Sequence, residues 1–332
     1  MFTVRAVTAS DLAISPGDSS PSPLLEEFRT RYASVKSRPE WCFVAEEKPE
    51  EGGGVIGCVG YRAPQSHGDQ ERAPDEIILF DLLLPWQSDY LKVGTALLRE
   101  SLARLEERGV QSLRFEFASA DFWDEQERPN PCAEPWRQIA SHLGMALHQE
   151  KVSFRHIGPP LSLASHPPLV LRSLDEVGQS AYVDAIERVS TGTLDTIDRQ
   201  NIARFGAKAA AEHFFDSIAD GMDYEPRLWK LAYTPDGSLV GLVAPVKMWG
   251  ALGTLGYIGV VPEQRGKGYV DDLLREGNAA LAAEGIGRIV ADTDIANVPM
   301  QRAFLRAGYV QQGNQWTFRT NIAGLLAAVG WT

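Results

Sequence analysis

The sequence predicts an α/β protein built from two similar halves. Three observations carry this reading. Apolar β-type runs alternate with stretches of helical periodicity. Landmarks of the first half return in the second at one constant offset, Pro135, Gly144 and Arg155 recurring as Pro299, Gly308 and Arg319. A glycine-rich turn, Arg265-Gly266-Lys267-Gly268, joins the β-type run Leu255–Val261 to the helical pattern after it.

Each half opens on a short strand-like segment, Thr3-Val4-Arg5 and Val170-Leu171-Arg172. In the first half a hairpin follows, Trp41–Ala45 and Val55–Tyr61, around a turn rich in Glu, Lys and Gly. Ile77 to Leu84 reads as a buried strand. Leu97, Leu98, Leu102 and Leu105 fall at helical spacing, and Gly109 ends that helix. Leu113–Phe117 is a further strand, and the polar, proline-punctuated stretch from Ala120 to Glu134 is a loop. The second half repeats the hairpin as Leu228–Tyr233 and Leu239–Val243 around Pro235-Asp236-Gly237. Between the halves, Gly158-Pro159-Pro160 through Pro167-Pro168 is too rich in proline for helix or central strand. The expected division is a domain over 1–157, a linker over 158–168 and a domain over 169–332.

Composition bounds the function. The net charge of −12 argues against nucleic acid or an anionic membrane surface as partner. It leaves open a cationic acceptor such as an amine. The start Met1-Phe2-Thr3-Val4-Arg5 lacks the build of a signal peptide, and no apolar run approaches a membrane span. Cys42, Cys58 and Cys132 are odd in number, widely spaced and free of a Cys-x-x-Cys pattern, which suits buried thiols in a cytoplasmic protein and no metal site.

The glycine turn points to an anion. Gly266 and Gly268 permit a tight turn with exposed N–H groups, and the following helix adds unpaired donors and the positive end of its dipole. A Walker loop is excluded because Gly268 stands where it needs Ser or Thr, and a dinucleotide fingerprint lacks its third glycine.

Arg265-Gly266-Lys267-Gly268-Tyr269-Val270 resembles the pyrophosphate loop of the GNAT superfamily of N-acetyltransferases, with Val270 in place of a small residue. Asn297-Val298-Pro299-Met300, leading to Phe304 and Gly308-Tyr309, is similar to that superfamily's second motif. The resemblance implies two tandem GNAT-type domains, each a twisted mixed β-sheet flanked by helices. Aligning Leu97-Leu98 with Leu273-Leu274 sets Asp89, Tyr90 and Lys92 against Arg265, Gly266 and Gly268, so the first domain resembles a degenerate copy. In layout the chain is similar to tandem members such as the mycothiol synthases.

That resemblance also implies a chemistry. Acetyl-CoA, or another acyl-CoA, is the expected donor, and an amine of a small molecule or peptide is the expected acceptor. Cofactor contacts are expected from Val260, Val261, Arg265, Gly266, Lys267, Gly268, Tyr269, Val270, Asn297 and Phe304, with oxyanion donors near Gly259 and Val260. The superfamily's strand glutamate and tyrosine acid are both replaced here, the latter by Phe304. Asp292 is the candidate base and Tyr257 the candidate donor to the leaving thiolate. Each has a bland alternative, strand-end capping for Asp292 and Asp294 and core packing for Tyr257. His213 sits in an apolar–polar helical pattern and reads as solvent-facing. Asp195 and Asp198 either hold the amine or cap a helix. The alternative function is a non-catalytic acyl-CoA-binding or regulatory protein.

Overall fold

The computed structural model describes residues 2–12, 22–35, 37–48, 53–64, 73–122, 128–158, 169–221, 225–248 and 250–327. The expected linker, apart from Gly158, lies outside them. The chain forms two compact units that interleave in sequence: Met1–Ser119, Pro129–His148 and Trp316–Thr332 make one, and Ala120–Arg128 with Gln149–Gln315 make the other. The units share one α/β plan.

In the first unit, β1 (Phe2–Ala6) is followed by α1 (Ala9–Leu12) and α2 (Pro23–Ala33), then by β2 (Cys42–Glu47), β3 (Val55–Arg62) and β4 (Glu76–Leu83). Helix α3 (Tyr90–Glu106) crosses to β5 (Ser112–Ala118), and α4 (Ala133–His142) follows. Strands β1 to β4 are antiparallel in succession and β5 is parallel to β4. The apolar stripe Leu97, Leu98, Leu102 and Leu105 of α3 is fully buried, as its spacing requires. All three cysteines are buried free thiols, and burial pushes Cys42 up to about 12.

Parallel pairing of β4 with β5 runs from Glu76 and Ser112 to Leu79 and Phe115. Beyond it Trp136 of α4 bridges the two strands. Its Nε1 donates to the Leu82 carbonyl at 2.8 Å, and its ring lies 5.5 Å from both Phe115 and Phe117.

The second unit begins within β6 (Leu147–Ile157) and continues through β7 (Val170–Ser173), α5 (Leu174–Ser190), α6 (Thr196–Phe205) and α7 (Ala207–Gly221). Next come β8 (Lys230–Tyr233), β9 (Leu239–Lys247), β10 (Leu252–Val260), α8 (Tyr269–Ala283), β11 (Arg288–Asp294), α9 (Val298–Arg306) and β12 (Val310–Asn321). Helix α10 (Ile322–Ala327) returns to the first unit. The strand order in the second unit is β7-β8-β9-β10-β11-β6, then the first residues of β12. Each unit thus holds a strand from the other half's sequence. Residues 151–157 pair with β11 in the second unit, and residues 316–321 follow β5 in the first.

Two apolar layers cover the second sheet. Leu273, Leu274 and Leu281 of α8 pack with Ala303 and Phe304 of α9 on one face. Tyr182, Ile186 and Phe215 of α5 and α7 pack with Trp229 and Leu242 on the other.

Candidate active site

Strands β10 and β11 pair in parallel only at Leu252–Arg288, Gly253–Ile289 and Thr254–Val290. Both run on past that point, β10 to Val260 and β11 to Asp294. A bulge at Gly256, between Leu255 and Tyr257 in the register with β9, turns β10 away. The two strands therefore part, and Tyr257 to Val260 are half-buried although they lie mid-sheet.

The glycine turn stands at the end of the parted β10. Gly266 has φ 74° and Gly268 φ 88°, conformations that a side chain resists. Gly268 is the N-cap of α8, so the free N–H groups of the first helical turn open onto the loop. Arg265 fixes the loop's position rather than projecting from it. Its Nε donates to Val260 O at 3.1 Å and its Nη2 to Val189 O of α5 at 2.7 Å. Lys267 is exposed, with Nζ 2.8 Å from Gln264 Oε1. Two carboxylates in the first turn of α8 would repel an anion, and each is held by arginine. Asp271 meets Arg306 at 2.7 Å and buried Asp272 meets Arg275 at 3.0 Å.

Val260, Tyr269 and Val270 pack against the apolar cluster that contains Phe304. Phe304 itself is buried, its ring 5.1 Å from Phe154 and 5.0 Å from Tyr309. Val261 is buried too, and its N–H bonds Val240 O. Asn297 caps α9, its Oδ1 accepting from Met300 N at 3.3 Å.

Among the described residues the first unit has no such loop at the equivalent position. Its β4 carries a matching bulge at Phe80, which fixes the equivalence of the two halves. Helix α3 starts at Tyr90, opposite Gly266, with Asp89 as its N-cap. The N–H groups that line a turn in the second unit belong here to regular helix.

On the face of the second sheet covered by α5, α6 and α7, carboxylates gather near the parted strands. Asp195 is the N-cap of α6, accepting from Ile197 N at 2.8 Å and Asp198 N at 3.0 Å. Asp294 is buried and accepts from Thr196 N and Ala296 N, bonds that hold its carboxyl below the usual range against the cost of burial. Both are structural, as the capping alternatives anticipated. Asp292 is more exposed and forms an ion pair with Lys151 Nζ at 2.8 Å. It also borders a small pocket with Ser153, Thr254 and Gln315 beside the point where the strands part.

Asp198 is different. It lines a second small pocket with Ser190, Asn201, Phe214 and Tyr257. Tyr257 Oη donates to its Oδ2 at 3.4 Å, and the Tyr257 ring lies 4.4 Å from Phe214. Burial, then the charge of Asp195, pushes Asp198 up to about 6. Burial and Asp198 together raise Tyr257 well above its ordinary value, so it remains a protonated donor. His213 is exposed beside Phe205, away from this cluster.

A carboxyl whose pKa rises on folding stabilises the fold fully below its unfolded value of about 3.9, and that contribution is lost as pH rises through about 6. Asp198→Asn stays neutral. It is expected to raise the melting temperature above about pH 6 by about 2–4 °C, and to change little near about pH 4. Thermal unfolding at the two pH values checks this; an unchanged midpoint at the higher pH refutes it.

Sequence reasoning missed Gln149, Lys151 and Ser153. They share one face of β6, and all three point into this cluster: Gln149 Nε2 donates to Asp195 at 3.1 Å, Lys151 pairs with Asp292, and Ser153 stands opposite Asp292 in the register. The signal was there as alternating polar residues in a strand-like run. Their place before the proline-rich stretch hid it.

Parted parallel strands beside a glycine-lined helix N-terminus define an α/β domain with a cleft in its sheet. A family model narrows this: residues 198–309 match the acetyltransferase (GNAT) family, so the chain carries a GNAT acetyltransferase domain. No curated protein matches the sequence. Among solved structures, a GCN5-related N-acetyltransferase from Sphaerobacter thermophilus is similar over 97% of this chain and 96% of that one, at 16% identity and a TM-score of 0.57. A glucosamine N-acetyltransferase region of a fungal multi-domain GH3 β-N-acetylglucosaminidase aligns over 96% of this chain and 38% of that one, at 11% identity and a TM-score of 0.50. A tandem GNAT protein from the clavulanic acid pathway covers 97% and 98%, at 14% identity and a TM-score of 0.48. At these identities the likeness is one of fold.

Proposed function

We propose that the protein is an acyl-CoA-dependent N-acyltransferase, with acetyl-CoA as the first donor to test. The acyl group passes directly to an amine of a small molecule or peptide in a ternary complex. One observation carries this: β10 and β11 separate after Thr254 and Val290 beside the positive-φ turn at the N-terminus of α8. The turn suits a pyrophosphate, and the parted strands leave backbone near Gly259 and Val260 free to meet a thioester. Val260, Tyr269 and Val270 flank that path; Asn297 and Phe304 support it from α9. Solution in the cytoplasm suits the composition, and among the described residues no helix is long and apolar enough to cross a membrane.

The proton's route is set by the chemistry. An amine attacks the thioester carbon only when neutral, so a group must take its proton, and the departing thiolate needs a donor. Asp198 is favoured over Asp292 as base, because Asp292 is already bound to Lys151. Tyr257, kept protonated by burial and by Asp198, is the donor this reading favours. The rate is expected to rise with pH through about 6 as Asp198 ionises. Asp198→Asn is expected to lower turnover by roughly 10²–10⁴-fold with acyl-CoA affinity unchanged. Asp292→Asn should cost less.

Calorimetric titration with acetyl-CoA, followed by an amine panel scored by released CoA, tests the whole reading. Binding without transfer to any amine selects the alternative, a non-catalytic acyl-CoA-binding protein. No binding of acetyl-CoA or longer acyl-CoAs rejects both.

A further inference from the structure

We propose that the acceptor is a primary amine carried on a compact apolar group, held among α5, α6 and α7 with its nitrogen at Asp198. The proposal rests on the acyltransferase reading above and names its substrate class. The pocket lined by Asp198 and Tyr257 is otherwise walled by Ile186 of α5, Ile202 of α6 and Ala210, Ala211 and Phe214 of α7. Phe214 and Tyr257 form one wall as a pair, their ring centroids 4.4 Å apart. Helix α5 ties this pocket to the proposed path of the thioester. It gives Ile186 and Ser190 to the pocket and Val189 to the strand. A Cβ on Gly259 would collide with Val189, whose carbonyl also accepts from Arg265 at 2.7 Å.

Few polar groups on this wall are left for a ligand. Ser190 Oγ donates to Glu187 O at 2.9 Å. Tyr257 Oη and Thr193 Oγ1 both donate to Asp198 Oδ2, each at 3.4 Å. Among the described residues, Asp198 Oδ1 and the Asn201 side chain take part in no hydrogen bond. An ammonium has only donors to satisfy, and these two groups offer it acceptors. With its pKa near 6, Asp198 is ionised at about pH 8, as an ammonium requires. The rest of the wall is aliphatic or aromatic. A hydroxyl or second charge on the acceptor would lose its water there without a partner. Each methylene that leaves water instead improves binding about fourfold.

The full chain is assayed at about pH 8 with acetyl-CoA and a pair of primary amines of similar basicity, 2-phenylethylamine and ethanolamine. The aromatic amine is expected to exceed ethanolamine in kcat/KM at least ~10-fold. Ile202→Trp fills the pocket and is expected to abolish that advantage with acetyl-CoA affinity unchanged. If that variant does not fold, Phe214→Ala, which removes one aromatic wall, takes its place under the same criterion. Equal rates, a preference for ethanolamine, or an advantage that survives in a folded variant overturns the proposal and leaves the acyltransferase reading standing. Binding is read separately, by calorimetry of each amine against the chain in excess CoA. A parent that binds 2-phenylethylamine the more tightly but transfers to neither amine locates the failure in the acyltransferase reading, with the pocket upheld. A parent that transfers to neither and binds both alike, or binds neither, overturns the proposal.

Discussion

Acetyl-CoA is expected to bind once per chain, and Gly268→Trp is expected to weaken it at least ~10-fold. At φ 88° any side chain strains the N-cap of α8, and a bulky one also covers the N–H groups that a pyrophosphate would use. Losing one or two charge-assisted hydrogen bonds removes roughly 1.5–3 kcal/mol each. Lys92→Ala is the control, because α3 runs through the equivalent position as regular helix and Trp136 bridges β4 and β5. Two equivalent sites by calorimetry, or equal affinity in Gly268→Trp, would sink this assignment.

A chain cut to residues 169–332 is expected to lose cooperative unfolding and all acyl-CoA binding. The cut removes residues 149–157, of which Lys151 to Ile157 pair with β11 along its whole length from Arg288 to Asp294. It strips the polar partners Gln149, Lys151 and Ser153 from three carboxylates, Asp195, Asp292 and Asp294, and it leaves β11 with an open edge. Arg288 also loses its bond to Phe122 O, at 2.6 Å. Circular dichroism melting measures the effect directly. A truncated chain that melts sharply and binds acetyl-CoA would show that β6 is dispensable.

These two experiments differ in how far sequence alone foretold them. The glycine turn was legible because φ > 0 and a helix start are local demands written in local residues. The bulge pair Phe80 and Gly256 confirms the repeat that Pro135 and Pro299 announced. The roles of the carboxylates were only half legible. Asp195 and Asp294 carry capping signals; Asp195 caps α6, and Asp294 accepts from Ala296 N in the turn before α9. Asp198 looks no different in sequence, yet burial beside Asp195 changes its acidity, and burial is a property of the folded whole. The placement of β6 was not legible. The repeat correctly matched Phe154-Arg155 with Phe318-Arg319, but a strand's pattern does not name the sheet that takes it.

That exchange of strands has a consequence during synthesis. The first unit waits for Trp316 to Asn321 to complete its sheet, although most of it has been made by His148. The first unit therefore cannot complete its sheet while the ribosome is still reading the second, and the nascent chain carries an unfinished first sheet until residues 316–321 emerge. A stop codon shortly before Trp316 is predicted to leave an exposed β5 edge seeking a partner. Such chains are expected to depend on a chaperone, where a protein of two sequentially folding domains would not.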